Sequence, residues 1–316
     1  MIVLTGARGF IGSNLLRKLN NEGFEDIVLV DELENKAKDY TIRGAKYTQL
    51  IDRENFLDWL ENAPKKIEVI FHLGARTDTT ESDKKLFDKL NLNYSKSLFT
   101  FCTNKQIPFI YASSAATYGD GTFGYNDEEN IEKLQPLNEY GWSKQNFDLW
   151  VEMQDKTPPF WAGMKFFNVY GPHENHKGRM ASVIYHAYHQ IKQTGKMNLF
   201  QSHHPDFKDG EQQRDFIFVD DVVDICFFLF KNKVESGIYN VGSGQARTFL
   251  DLVKAVFKNL DLEPKIEFIP TPADIRDKYQ YFTQATMEKL RNQGYNTPFH
   301  TLEKGVAKYL NWLQNQ

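Results

Sequence analysis

Tyr140 and Lys144 are spaced so that their side chains could do chemistry together in this 316-residue sequence. Residues four apart on a helix lie on the same face. A phenol with a pKa of about 10 is a weak base at neutral pH. A lysine ammonium one turn away would stabilise the phenolate and lower that pKa, so that the tyrosine could accept a proton. The spacing therefore predicts a proton-transfer pair.

Ser114 lies within a hydroxyl-rich run, Tyr-Ala-Ser-Ser-Ala-Ala-Thr-Tyr-Gly, at residues 111–119. The apolar residues before it predict a strand over Phe109–Ser113, which places Ser114 at the carboxyl end of that strand. Parallel α/β sheets bind their ligands at this edge. We therefore add Ser114 to the candidate catalytic set.

Three glycines, Gly6, Gly9 and Gly12, directly follow an apolar run at the start of the sequence and open a helical pattern. In such a loop the first glycine permits a tight turn, the second lets the backbone approach a pyrophosphate, and the third lets helix and strand pack closely. The helix then presents free N–H groups to the phosphates. Asp31 follows about twenty residues on, where a ribose-binding carboxylate is expected. The loop predicts a dinucleotide site.

The elements that must hold these residues alternate between strands and helices. The predicted strands are Ile2–Thr5, Ile27–Asp31, Tyr47–Leu50, Val69–Leu73, Phe109–Ser113 and Ala162–Asn168. The predicted helices are Ile11–Asn20, Asn55–Glu61 and Leu86–Asn104. Alternation of this kind indicates a parallel sheet with helices on both faces. We predict a doubly wound α/β domain over residues 1–167, to which 214–238 returns. The remaining residues, 168–213 and 239–316, should form mainly a smaller C-terminal lobe that binds substrate.

The composition excludes several classes of function. The formal net charge is -4, and no basic stripe is present for nucleic acid. The longest apolar run, Ile225–Phe230, is too short to cross a bilayer. Two histidine pairs, at 173/176 and 203/204, lack a further residue at ligand spacing, so we expect no metal. A soluble cytoplasmic protein is the resulting expectation.

The glycine loop, the Ser-Ser strand end and the Tyr-x-x-x-Lys pair occur in the order found in extended short-chain dehydrogenases/reductases, a family that the chain resembles. The resemblance implies a Rossmann-type fold. Gln213–Val222 is similar to the family's nucleotide-sugar strand, whose arginine, here Arg214, contacts the substrate pyrophosphate. A guanidinium suits phosphate oxygens because its donors form a fork. Gly237–Gly244 resembles the next block of the subfamily, so a nucleotide-sugar substrate is implied.

Two stretches narrow the reaction that the resemblance implies. Ala115 and Ala116 stand where the family's dehydratases carry an Asp-Glu pair, and a methyl group cannot protonate a leaving hydroxyl. His176–Ser182, together with Tyr279–Gln284, is similar to the ADP-glyceromanno-heptose 6-epimerases. That family supplies heptose for the lipopolysaccharide core by inverting C-6 of ADP-D-glycero-D-manno-heptose to the L-glycero epimer. The chain departs from it at 76–78, at 179 and in the longer loop 202–213.

The resemblance implies that Lys177 is the second base of a 6-epimerase, whereas the residue alone would fit a solvated loop cation. Hydride leaves C-6 and returns to its opposite face, so Tyr140 and Lys177 would each serve one orientation of the C-6 group. Two other functions stay open. A UDP-hexose 4-epimerase would share Tyr140 but not need Lys177, and a non-catalytic NADP-binding protein of this fold would be expected to lose the Tyr140/Lys144 pair.

The resemblance implies a complete set of site residues. The catalytic residues are Ser114, Tyr140, Lys144 and Lys177. The cofactor-binding residues are Gly6, Gly9, Phe10, Ile11, Gly12, Asp31, Glu32, Lys38, Arg53, Leu73, Gly74, Ala75, Asn91, Lys144, Val169 and Lys177. The substrate-binding residues are Ser114, Asn168, Arg179, His186, Phe200, Gln201, Ser202, His203, Arg214 and Tyr279.

The cofactor and the partners follow from the same comparison. Asp31 alone would favour NAD through the ribose hydroxyls. Lys38 and Arg53 match cations beside the adenosine phosphate in epimerases that prefer NADP, so we expect NADP, with NAD accepted. The expected substrate is ADP-heptose, with no nucleic acid or membrane partner. A homo-oligomer is implied, with a pentamer as the example.

Overall fold

Seven parallel strands form the central sheet of the computed structural model, which describes residues 1–63, 65–232, 234–272, 276 and 279–316. They are β1 (Ile2–Thr5), β2 (Ile27–Asp31), β3 (Gln49–Asp52), β4 (Val69–His72), β5 (Phe109–Ser114), β6 (Trp161–Phe166) and β10 (Gly237–Val241). Their order across the sheet is β10-β6-β5-β4-β1-β2-β3. The chain therefore reverses its winding direction between β1 and β4, and a crevice opens at such a point at the carboxyl ends of the strands.

Five short strands form two small sheets beside the central one. They are β7 (Asn168–Tyr170), β8 (Met197–Phe200), β9 (Gln213–Phe218), β11 (Ala246–Thr248) and β12 (Ile266–Ile269). β9 lies between β7 and β11, and β8 pairs with β12.

The helices are α1 (Phe10–Asn21), α2 (Phe56–Glu61), α3 (Lys84–Phe87), α4 (Tyr94–Lys105), α5 (Glu139–Glu152), α6 (Val183–Thr194), α7 (Val219–Asn232), α8 (Phe249–Asn259), α9 (Glu288–Asn292) and α10 (Leu302–Gln314). Short 3₁₀ segments are Lys36–Ile42, Arg53–Asn55, Ala115–Tyr118, Ile131–Lys133 and Asn175–Met180. Within the described ranges, no helix has the length and apolarity to cross a membrane.

Alternating side chains of the central strands build a core on each face of the sheet. Ile2 and Leu4 of β1 pack with α1 and α7, where Leu15 and Leu16 are fully buried. Val3 points to the opposite face, which α4 and α5 cover. A third core joins α6, α8 and α10 to the small sheets. Full burial of a leucine contributes about 1.5–3 kcal/mol, so these cores fix the helices that carry the site.

The doubly wound α/β fold with its smaller lobe is confirmed, and the strand predictions fail mainly at boundaries. β3 lies two residues later than the predicted Tyr47–Leu50. The predicted strand Ala162–Asn168 divides at Phe167, because β6 ends there and β7 enters a small sheet. The predicted helix Leu86–Asn104 is interrupted by a π-helical segment, Asp88–Asn93. Strand boundaries and helix interruptions depend on tertiary packing. The residue pattern of one sequence does not contain that information.

The chain segment 214–238 divides between the two parts of the molecule. Helix α7 packs against α1, and β10 then joins the central sheet beside β6. Strand β9, however, pairs with β7 and β11 in a small sheet rather than returning to the first domain. The division into two lobes at 167/168 stays a prediction.

Replacement of Gly12 by alanine tests the close packing of α1. A Cβ at this position would overlap the carbonyl oxygen of Gly6, which is backbone and cannot move aside cheaply. Overpacking of this kind costs about 1–3 kcal/mol. We expect Gly12→Ala to lower the free energy of unfolding by that amount, measured by urea denaturation. Gly237→Ala is the control, since its Cβ would meet only the flexible end of Lys289. Equal stability of both variants would contradict the packing argument.

Candidate active site

A cavity of about 660 Å³ opens at the carboxyl ends of β1, β4 and β5. Fifteen of the sixteen predicted cofactor-binding residues line it, and so do the catalytic candidates Ser114 and Tyr140. The fifteen are Gly6, Gly9, Phe10, Ile11, Gly12, Asp31, Glu32, Lys38, Arg53, Leu73, Gly74, Ala75, Lys144, Val169 and Lys177. The structure thus brings together residues that lie up to 171 positions apart in the sequence.

The glycine loop forms one wall of this cavity. Gly6 adopts a φ of +67°, and a Cβ there would lie 2.6 Å from the Gly74 nitrogen at the end of β4. Helix α1 begins at Phe10 with no side-chain cap and no acidic residue in its first turn. Its free N–H groups and positive dipole end favour an anion. The loop therefore fits a dinucleotide pyrophosphate.

Asp31 holds the end of β2 at the far side of the loop. Its carboxylate accepts hydrogen bonds from the backbone of Arg8, at 2.8 Å, and of Glu32, at 2.9 Å. Lys38 Nζ lies 3.4 Å from the Asp31 Oδ1. The buried Arg8 guanidinium pairs with Asp39 and folds the 32–39 segment against the loop. A cation and a carboxylate thus lie together at the position expected for the adenosine ribose.

Tyr140 and Lys144 lie on α5, which begins after Asn138. The Asn138 side chain caps the helix by accepting from the Gly141 N–H at 2.8 Å. Tyr140 is half-buried and Lys144 is buried, with its Nζ donating to the Ala112 carbonyl oxygen at 2.8 Å. The helix thereby fixes both side chains against the end of β5, beside Ser114.

The protonation of this pair is controlled mainly by burial. Burial raises the pKa of Tyr140, while a hydrogen bond with Ser114 lowers it and the charge of Asp148 raises it. Burial also lowers the pKa of Lys144 from 10.5 to about 8, against the opposing charge of Asp148. Burial thus holds the Tyr140 pKa above its ordinary value, and the expected stabilisation of the phenolate by Lys144 stays a prediction.

Lys177 lies on the 3₁₀ segment Asn175–Met180 and faces the same cavity as Tyr140. Its Nζ is 5.3 Å from the centre of the Phe10 ring, and burial lowers its pKa, opposed by Glu174. The buried Glu174 carboxylate accepts from both the backbone N–H and the hydroxyl of Ser182, each at 2.6 Å. This carboxylate anchors the segment that carries Lys177.

His173 and His176 lie beside Lys177, and the expectation that they bind no metal stays a prediction. Burial, followed by the charges of nearby cations, lowers the pKa of each imidazole to about 4. Both rings are therefore neutral near pH 7. In the part of the chain that the structure describes, no three His, Cys, Asp or Glu side chains are grouped as metal ligands.

Asn91 is the predicted cofactor-binding residue that does not line the cavity. It is buried behind the wall, where its side chain bonds the backbone of Arg76 on both sides and the hydroxyl of Ser143 at 2.9 Å. A contact of Asn91 with the cofactor therefore stays a prediction.

The predicted substrate-binding residues other than Ser114 lie outside the cavity. Arg214 and Phe200 meet at Tyr279, whose ring centre is 5.3 Å from the Arg214 guanidinium and 6.5 Å from the Phe200 ring. The others are half-buried or exposed on the lobe; they are Asn168, Arg179, His186, Gln201, Ser202 and His203. The structure assembles only part of this set.

Several cavity residues have no motif that would reveal them. Arg76, Thr77 and Asp78 line the cavity at positions where the chain departs from the resembling family. Asp148 and Lys165 lie beneath the site as a buried pair. Lys165 is a charged residue within an otherwise apolar strand. That placement is the signal in the sequence that indicates a buried, paired charge.

The fold and the site define a class of protein. Residues 2–242 match the NAD dependent epimerase/dehydratase family, and the chain belongs to that family.

Within it, the chain is 48% identical to the ADP-L-glycero-D-manno-heptose-6-epimerase of Fusobacterium nucleatum, over 100% of this chain and 99% of the relative. It is 47% identical to the enzyme of the same name from Nitratidesulfovibrio vulgaris, over 98% of this chain and 97% of that enzyme. The solved structure of the Helicobacter pylori ADP-L-glycero-D-manno-heptose-6-epimerase is similar at 28% identity, with a TM-score of 0.82 over 100% of this chain and 96% of that one.

Lys144→Met tests the burial of the lysine. Because its folded pKa is depressed, the native state loses this proton before the unfolded state does, so stability should rise between about pH 8 and 10. Removing the charge should flatten this rise and stabilise the protein at pH 7 by about 3 kcal/mol. Urea denaturation at several pH values measures both. Lys156→Met, at an exposed position, is the control. An unchanged pH slope would contradict the assignment.

Proposed function

We propose that this chain inverts C-6 of ADP-D-glycero-D-manno-heptose to give ADP-L-glycero-D-manno-heptose. One observation carries the proposal: Tyr140 and Lys177, from different parts of the fold, line a single cavity together with a dinucleotide cradle. Relatives at 47–48% identity over nearly the whole chain bear the name of this enzyme. The protein is accordingly an epimerase that works on a nucleotide sugar with a nicotinamide dinucleotide.

Because C-6 lies outside the sugar ring, its hydroxyl can turn to either side of the site. Each orientation then needs its own proton-transfer group. A nicotinamide dinucleotide held by the glycine loop, Asp31 and Lys144 would supply reversible hydride transfer to and from opposite faces of C-6, with no net oxidation. In one orientation Tyr140 Oη takes the proton from O-6, which leaves a ketone at C-6. After the C-6 group turns over, Lys177 Nζ returns a proton to O-6. The reverse direction uses the same two groups in the opposite order.

Lys144 and Ser114 support Tyr140 in this scheme. Hydrogen bonding by Ser114 lowers the pKa of the Tyr140 phenol, and both side chains line the cavity. Lys144, with a pKa of about 8, is protonated near neutral pH. We assign it to the cofactor ribose and to electrostatic stabilisation of the Tyr140 phenolate as the proton leaves. The attraction between the Lys144 cation and the phenolate is stronger in a buried site, where the dielectric constant is lower than in water.

Substrate recognition is proposed for the lobe. Arg214 is buried, and its guanidinium lies over the Tyr279 ring while donating to backbone carbonyls of Gln213 and Gln280. A fixed guanidinium of this kind suits a diphosphate. The remaining proposed substrate contacts are Asn168, Arg179, His186, Phe200, Gln201, Ser202 and His203. Closure of the lobe over the cavity would bring them to the sugar.

NADP is the proposed cofactor. Lys38 and Arg53 line the cavity at the adenosine end, and Lys38 pairs with Asp31. A 2′-phosphate would gain charge-assisted hydrogen bonds from two cations, whereas the Asp31 carboxylate alone favours a free ribose hydroxyl. We also propose a role in lipopolysaccharide core synthesis, a cytoplasmic location and a homo-oligomer, with a pentamer as the state that sedimentation should test. These follow from the resemblance alone.

The NADP assignment predicts a change in selectivity. Lys38→Ala and Arg53→Ala should each lower the ratio of NADP to NAD affinity by about tenfold or more, since one charge-assisted bond contributes about 1.5–3 kcal/mol. Titration of each cofactor by isothermal calorimetry gives the ratio. Lys36→Ala, an exposed cation on the same segment, should leave it unchanged. If neither variant changes the ratio, the 2′-phosphate contacts lie elsewhere.

The two-base scheme predicts asymmetry between the epimers. Tyr140→Phe and Lys177→Met should each slow epimerisation by about 10²–10⁴-fold. Combining them should cost little more than one alone, because one broken half-reaction already stops inversion. Each variant should impair hydride transfer from one C-6 epimer more than from the other. Single-turnover reduction of bound NADP⁺ by each epimer measures this difference.

Lys192→Met provides the control for Lys177, since it removes an exposed cation of the same lobe. Cofactor content must stay native in every variant. Native-rate epimerisation by Lys177→Met would refute the second base, and a 4-epimerase that uses Tyr140 alone would become the better hypothesis. Incubation of the wild-type protein with UDP-glucose, followed by separation of UDP-galactose, would then test that reaction directly.

A further inference from the structure

Asp148 and Lys165 form an ion pair that is almost completely buried, with side-chain exposures of 0% and 1%. Lys165 Nζ lies 3.0 Å from Asp148 Oδ2. The carboxylate also accepts from the hydroxyls of Ser113, at 2.6 Å, and Tyr111, at 3.0 Å. Taking two charges out of water costs several kcal/mol, and an apolar pair is often at least as stable. Stability alone therefore gives no reason for this pair.

The pair connects directly to the Ser114 turn. Lys165 Nζ also donates to the Thr117 hydroxyl at 2.6 Å, and that hydroxyl donates to the Ser114 carbonyl oxygen at 2.8 Å. A continuous series of hydrogen bonds thus runs from Asp148 to the backbone of the residue whose side chain bonds Tyr140. Three elements, α5, β6 and the 3₁₀ turn after β5, meet in this series.

Asp148 also shares a helix face with the proposed catalytic pair. It follows Tyr140 and Lys144 by eight and four residues on α5, so the three side chains lie along one stripe. The charge of Asp148 acts on both partners and raises the pKa of each. His72 of β4 also interacts with Lys144, and its pKa is lowered to about 3 by burial and then by the charge of Lys144. His72 is therefore neutral, and Asp148 supplies the negative charge.

We propose that Asp148 and Lys165 are positioning residues, which lock the catalytic helix to the Ser114 turn and set the charge that Tyr140 and Lys144 experience. The proposal rests on the catalytic role assigned to these two residues above. Neither member of the pair lines the cavity, so both act through other residues. The Asp148 carboxylate keeps Lys144 protonated despite its burial. The positive charge of Lys165 partly offsets the effect of that carboxylate on Lys144.

Opposite substitutions should shift the pH dependence in opposite directions. Asp148→Asn removes a negative charge, so both limbs of the kcat profile should move to lower pH, by at least about half a unit. Lys165→Met leaves the carboxylate without its counter-charge, so both limbs should move to higher pH. Glu152→Gln, an exposed carboxylate one turn further along α5, should leave the profile unchanged.

Stability separates positioning from simple packing. Each single variant leaves a buried charge unpaired and should unfold at lower urea concentration than the wild type. Asp148→Asn combined with Lys165→Met removes both charges and should recover much of that stability. If the pair were only structural, the double variant would also recover the native kcat and pH profile. We expect it to keep a kcat at least tenfold below the wild type.

Cofactor binding provides a readout that does not depend on the substrate. NADPH affinity, measured by protein fluorescence quenching, should fall at high pH as Lys144 loses its proton, and this fall should shift with each variant as the kcat profile does. A wild type that binds NADPH but does not epimerise the ADP-heptose would refute the proposed function while leaving this test intact. Unshifted profiles in the single variants would overturn the positioning role. If the singles do not fold, a double variant with the native kcat would overturn it.

Discussion

The close contact between the glycine loop and the end of β4 is the constraint on which the rest of the site depends. Gly6 and Gly74 approach so closely that neither position has room for a larger side chain without movement of the backbone. This contact closes the point where the sheet reverses its winding direction, and it fixes the start of α1. Every other part of the cavity, from Asp31 to Tyr140, is arranged around that fixed helix end.

The two proposed proton-transfer groups are held by different means. Tyr140 lies on a long helix that packs on the central sheet, whereas Lys177 lies on a short segment anchored by the buried Glu174. A buried carboxylate lies near each group: Glu174 bonds the segment that carries Lys177, and Asp148 lies on α5 with Tyr140. Buried carboxylates are costly unless fully hydrogen-bonded, and both of these accept several bonds. These hydrogen bonds fix the backbone near the two proposed bases.

The sequence predicts the nucleotide-binding half well because its signals are local. Strand, glycine loop and helix follow one another, so Gly6 to Gly12 can be placed from spacing alone, and the parallel topology follows from alternation. Residues whose role depends on distant partners could not be predicted in this way. Lys165 and Asp148 meet only because β6 lies beside β5, and the break at Phe167 depends on the pairing of β7 with β9. The direction of the Tyr140 pKa shift likewise depends on burial, which the spacing of two residues does not reveal.

The passage of the chain from β6 to β7 through the single residue Phe167 has an evolutionary consequence. The hydrogen-bond ladder of the central sheet ends at Phe166, and the small sheet begins at Asn168. Changes in the small sheets therefore leave the ladder of the dinucleotide cradle intact. The small sheets can therefore change in sequence and length without disturbing the strand pairing that holds the glycine loop. A UDP-N-acetylglucosamine 4-epimerase from Methanobrevibacter ruminantium has the same fold at a TM-score of 0.85 and 22% identity, so most of the sequence can change while the fold is kept.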